Sequence, residues 1–122
     1  MDGASINVVN AWTKAQNVAK STLSINAGNV AVDASLSNVF YLACTSNFTL
    51  QNPTNSASGG SMVIHFKQDA VGSRLISFGT NYKFPGGVTP TLSTAANARD
   101  TLFCAYDDVD AIWRCNLQKN YF

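Results

Sequence analysis

Glutamate is absent: all seven acidic residues are aspartates, set against eight lysines and arginines, and charged residues make up only 12% of the chain. That share is about half of the roughly 25% usual in globular proteins. With a formal net charge of +1, the chain has little electrostatic steering toward nucleic acid or an anionic membrane, so neither is an expected partner. A calcium loop that ends in a bidentate Glu cannot be built from these residues. Long apolar runs are missing as well, since no stretch approaches the roughly 18 residues that would span a bilayer. The opening residues Met1-Asp2-Gly3-Ala4-Ser5 have neither the basic nor the apolar region of a secretory signal. Cysteine is scarce and odd in number. Cys44, Cys104 and Cys115 show no CxxC spacing, which speaks against a disulfide framework or a zinc site and for reduced, buried thiols.

What is present points to strands. Length is 122 residues, the size of one domain. Asn, Ser and Thr fill the polar positions that charge vacates, a surface suited to packing against other protein. From Ser21 onward, short apolar alternations are separated by Gly, Pro, Asn or Asp at intervals of roughly ten residues. Met62, Ile64 and Phe66 alternate most clearly, while Val39 to Cys44 is apolar throughout and reads as a strand buried on both faces. About nine such strands predict an all-β fold, an antiparallel β-sandwich of jelly-roll-like type with β-module boundaries of 21–122. Val39–Cys44, Met62–Phe66 and Leu102–Tyr106 are expected at its centre. No strict internal repeat is visible, which speaks against a solenoid or propeller.

Chemistry is hard to find in this pattern. His65, the only histidine, alternates with Val63 and Lys67 on the polar side of its strand, as a surface or subunit-facing histidine does. Asp107-Asp108-Val109-Asp110 groups three carboxylates, and its position between two strand patterns reads as a hairpin tip rather than a metal loop. Asp33, Asp69 and Asp100 are scattered beside turn signals and do not form the carboxylate pair of a glycosidase. Gly59-Gly60 and Pro85-Gly86-Gly87 do not match a phosphate-cradling loop. Asn47-Phe48-Thr49 is formally a glycosylation sequon, of little meaning without a signal peptide. No catalytic, cofactor-binding or metal-ligating residue is assigned, and the chain is expected not to be an enzyme and to need no cofactor.

One ordered series of short motifs carries more information. It runs from Asn47-Phe-Thr-Leu-Gln-Asn-Pro-Thr-Asn55 through Gly59-Gly60, Phe66-Lys-Gln-Asp69 and Gly72-Ser-Arg74. Phe78-Gly-Thr-Asn-Tyr-Lys-Phe-Pro-Gly-Gly87, Pro90-Thr-Leu-Ser-Thr-Ala-Ala-Asn97 and Asp100 complete it. Over about Leu23 to Phe122 this series resembles the small β-module of tailed-bacteriophage virion proteins, of head decoration or cement type and of tail-fibre type. The resemblance implies a structural role in the virion, assembled in the host cytoplasm, and the threefold assembly habitual in such proteins. It assigns no catalytic residues. In tail fibres the module usually closes a long chain, whereas here it follows a start of only twenty residues. That favours a capsid decoration or cement protein that binds and stabilises the phage head, with the major capsid protein as partner. A tail-fibre or tail-tip component binding a host-surface polysaccharide receptor is the alternative, preferred if the chain is cut from a longer fibre.

Residues 1–20 differ from the rest and read as an N-terminal arm, either extended or with one or two helical turns. Ile6, Val8, Val9 and Trp12 are its apolar residues, and an isolated arm gains nothing by exposing them to water. They are the expected partner-binding residues, ordering against a neighbouring subunit of a homotrimer or against another virion protein. The competing reading makes Ile6–Val9 a first strand of the same domain.

Overall fold

A computed structural model describes residues 18–122. Ile6, Val8, Val9 and Trp12, with the arm up to residue 17, lie outside the described residues. Seven strands come first: β1 (Ser21–Thr22), β2 (Asn29–Val30), β3 (Val39–Cys44), β4 (Phe48–Leu50), β5 (Ser61–Gln68), β6 (Ile76–Phe78) and β7 (Tyr82–Lys83). A 3-10 turn at Pro85–Gly87 and a loop then lead to β8 (Arg99–Asp107) and β9 (Ile112–Gln118). The nine strands form a six-stranded sheet, ordered β1-β3-β5-β8-β9-β7, and a three-stranded sheet, ordered β2-β4-β6. The predicted all-β sandwich is therefore present, with β3, β5 and β8 adjacent in the larger sheet as expected.

Strand direction differs from the expectation. Only β5–β8 and β8–β9 pair antiparallel; β1–β3, β3–β5, β2–β4, β4–β6 and β7–β9 are parallel. The larger sheet is mixed and the smaller wholly parallel, so the likeness to a jelly roll extends to the two layers and not to the pairing. Up to β7 the chain steps from one sheet to the other at every connection, and each strand lies parallel to the one two places earlier, except that β7 pairs with β9. The winding is that of a short, irregular coil. Its turns are unequal, since Ser21 pairs with Phe40 while Phe40 pairs with Ile64, which is why no repeat is visible in the sequence. The β8–β9 hairpin wedges between β5 and β7 and closes the larger sheet.

The core lies between the sheets. Phe40, Leu42 and Cys44 of β3, Met62, Ile64 and Phe66 of β5, and Leu102 and Cys104 of β8 point inward, to meet Val30, Phe48 and Leu50 of the small sheet. Phe48 stacks on Phe66 across the layers with ring centroids 6.0 Å apart. Trp113 is fully buried beside Tyr106, and its indole N–H donates to Ser56 Oγ at 2.9 Å, which satisfies its one polar atom. Val39–Cys44 is not buried on both faces: Val39 and Tyr41 are half-buried and Ala43 is exposed. Its outward side belongs to the surface that forms the candidate site.

The corner at Gln68–Arg74 is a passage from the larger sheet to the smaller one. Asp69 organises it: its carboxylate accepts from the backbone N–H of Val71 and Gly72 and pairs with Arg74 at 2.9 Å. Gly72 adopts φ 75°, and a Cβ there would sit 2.5 Å from the Thr94 carbonyl oxygen, so the position needs glycine for both conformation and space.

Candidate ligand-binding face

Period-two alternation puts Tyr41, His65, Lys67, Arg99, Thr101 and Phe103 on the outer face of the six-stranded sheet, because their neighbours Leu42, Ile64, Phe66, Asp100 and Leu102 are buried. Register then brings them together. Tyr41 lies opposite His65, His65 opposite Thr101, and Thr101 opposite Gln118, giving one row across four strands. The next row places Ala43, Lys67 and Arg99 side by side, and the preceding one joins Val39, Val63, Phe103 and Asn116. Tyr121 is drawn over the start of β8 because its N–H donates to the Arg99 carbonyl at 2.9 Å. Lys20, just before β1, completes the rim. The result is a groove of about 460 Å³.

His65 Nδ1 lies 2.9 Å from Thr101 Oγ1, which fixes the plane of the imidazole on the groove floor. Lys20, Lys67 and Arg99 form no ion pair among the described residues, whereas Arg74 and Arg114 are each joined to an aspartate. Asp100, the one acid of the lining, is buried. Its carboxylate accepts from the N–H of Ser93 at 2.7 Å and of Asn120 at 3.0 Å. The groove thus offers cations, hydroxyls and the flat faces of Tyr41 and Tyr121, the groups that bind a polar, sugar-like ligand. Nothing in it pairs a nucleophile with a base and an orienting acid.

A larger cleft, about 770 Å³, lies toward the other end of the same sheet and is lined by Val39, Val63, Phe84, Phe103 and Ile112 among others. Its arginine, Arg114, is held by Asp107 at 2.7 Å. Among the described residues this cleft holds one cation without an ion pair, Lys83, against three in the smaller groove, which is the better candidate.

The remaining titratable residues have structural tasks. Asp107 caps the β8–β9 tip by accepting from the N–H of Val109 and Asp110, and the Arg114 guanidinium holds its carboxyl below the usual range. Asp33 accepts from Ser35 and Asn55, which lowers it likewise. No group of three or more metal-ligating side chains occurs among the described residues. Cys104 and Cys115 face each other across β8 and β9, with Sγ atoms 2.8 Å apart; both are buried and free, as is Cys44. The Cys115 hydrogen bond and burial push the Cys104 thiol up, which favours its protonated form.

Most of the residues that carried the resemblance are builders of the scaffold, Lys67 in the groove being an exception. Asn47 Oδ1 accepts from Leu75 N–H at 2.9 Å, and Asn52 Oδ1 accepts from Asn81 N–H at 2.7 Å, locking β4 to both ends of β6. Gln68, buried in the core, donates to the carbonyls of Arg74 and Ser93 and accepts from Arg74 N–H. Alternation along β5 shows His65 and Lys67 on one face of the strand. Arg99, Tyr41 and Tyr121 join them only once the β3–β5–β8 register is known.

Comparison with known proteins gives one family. The model described as "Putative phage tail fibre C-terminal domain" matches residues 27–103, the span from β2 into β8 that includes Tyr41, His65, Lys67, Arg99 and Thr101. No curated protein and no solved structure gives a match.

Proposed function

From a chain that belongs to the phage tail fibre C-terminal domain family, and so is a component of a phage virion assembled in its host, we propose a non-enzymatic fibre module that binds a host-surface polysaccharide through the outer face of its six-stranded sheet. The match over residues 27–103 is the observation that carries this reading. It favours the tail over the head, and so reverses the preference for capsid decoration that the short N-terminal start suggested. The groove adds the means of binding, since aromatic faces stack on sugar rings while hydroxyl and cationic groups hydrogen-bond their substituents. Immunogold labelling of intact virions with antibody to this chain tests the location: gold on the fibres is expected, and gold over the head would restore the decoration reading.

Assembly and attachment belong to the same proposal. The module works as a homotrimer, in keeping with a low-charge surface rich in small polar residues. Ile6, Val8, Val9 and Trp12 of the 1–20 arm make its contacts with a neighbouring subunit or another virion protein, while 21–122 forms the β-module. Sedimentation of the full chain is expected to give three times the 13.0 kDa protomer mass. A monomer at high concentration would contradict it. Deleting residues 1–19 is expected to leave a folded protein that no longer assembles.

A further inference from the structure

Lys67 and Arg99 are direct cross-strand neighbours, both exposed and both on the outer face. Like charges placed opposite each other on one face of a sheet destabilise it. A free aspartate beside them on the outer face, or across from them at Ala43, would relieve the repulsion. None lies there among the described residues: Asp100 is buried with its carboxylate on the N–H groups of Ser93 and Asn120, and Asp69 and Asp107 are held by Arg74 and Arg114. Lys20 adds a third cation to the rim of the same groove. In a chain with a net charge of only +1, three cations that form no ion pair among the described residues, gathered at one groove, are a concentration of charge that folding does not require.

Resting on the receptor-binding reading, we infer that the ligand of this groove is an acidic polysaccharide, whose carboxylate or phosphate groups sit between Lys67 and Arg99. The guanidinium of Arg99 presents a planar fork suited to either oxyanion, and the Lys67 ammonium adds a movable donor. His65 and Thr101, one row along, lie within reach of sugar hydroxyls, and Tyr41 and Tyr121 flank the ring. Charge selects this occupant over the chain's own start: residues 1–17 hold one acid, Asp2, and one base, Lys14, and bring no net negative charge to the groove.

The test measures binding of the full chain to host-envelope polysaccharides, each in its native acidic form and with its carboxylates reduced to alcohols or its phosphates removed. The acidic form is expected to bind and the neutralised form to lose at least tenfold in affinity; the carboxylate and phosphate arms identify the oxyanion. Lys67→Ala and Arg99→Ala are each expected to lose about tenfold or more, as when a charge-assisted hydrogen bond is removed. Binding should also weaken with added salt. Lys83→Ala, on the same face but at its opposite end, is the control expected to bind normally. Because the first two variants remove a like-charge repulsion, they should unfold at the same temperature or higher, which separates loss of binding from loss of fold. Equal binding of acidic and neutralised forms would overturn the inference and leave the receptor reading intact. Failure to bind any polysaccharide in either form would overturn both, and unchanged affinity in Lys67→Ala and Arg99→Ala would remove the groove as the site.

Discussion

Gln68, Asn52 and Asp69 show how single polar residues hold this protein together. Each spends its side chain on backbone groups that belong to no strand ladder, giving them the partner that a sheet would otherwise supply. Gln68→Leu keeps the volume but strands the carbonyls of Arg74 and Ser93 and the N–H of Arg74. Chemical denaturation is expected to show a loss of about 2–4 kcal/mol. Titration gives a second residue-scale prediction. Burial pushes the Cys44 thiol up to about 12, against about 8.5 for an unfolded cysteine. The unfolded chain therefore loses this proton first, so the stability held below about pH 8.5 declines as pH rises from there to about 12. Tyr82, also raised by burial, adds to the decline above about pH 10. Asp33, Asp69 and Asp107 lie below the carboxylate range, so their contribution is present above about pH 4 and lost as pH falls further. Denaturation midpoints measured across pH should fall at both ends, and Cys44→Ala should flatten the alkaline limb.

Five of the nine described strands have only two or three residues, and the connections decide the fold. Turn residues recurring about every ten positions mark the strand ends well, and the apolar alternation of β5 and the Asp107–Asp110 hairpin tip were legible for that reason. Direction was not legible. A Gly- or Asn-containing turn stops a strand equally well whether the chain folds back beside itself or crosses to the other sheet, and most connections here cross. Val39–Cys44 misled for a related reason, because an apolar run states that a strand is uncharged without stating how many of its faces are covered. The crossings rest on close backbone contacts, and Gly79 is the tightest. A Cβ there would meet Asn52 Oδ1 at 2.4 Å and Asn52 N at 2.7 Å, the same side chain that holds Asn81. Gly79→Ala must push β4 and β6 apart, and a loss of about 1–3 kcal/mol is expected from thermal or denaturant unfolding.

At the level of the whole molecule, the two sheets, their core and the virion origin could be anticipated from composition and motif order, but the binding face could not. Its residues come from Lys20 to Tyr121 and meet only through cross-strand register and the backbone bond that sets Tyr121 beside Arg99. Most motif residues that drew attention proved to be scaffold, and apart from Lys67 and the buried Asp100 the groove is built from residues outside them. That division of labour suits a fibre module: buried polar clasps keep the winding fixed, while one sheet face is left free to carry unpaired charge and aromatic surface. The central consequence we propose is recognition of the host surface. The most direct measurement is binding of the fluorescently labelled full chain to host cells and to otherwise identical cells lacking their surface polysaccharide. The chain is expected to stain the first and not the second, with staining of the first reduced about tenfold by Arg99→Ala. Equal staining of both cell types, or of neither, would contradict the account.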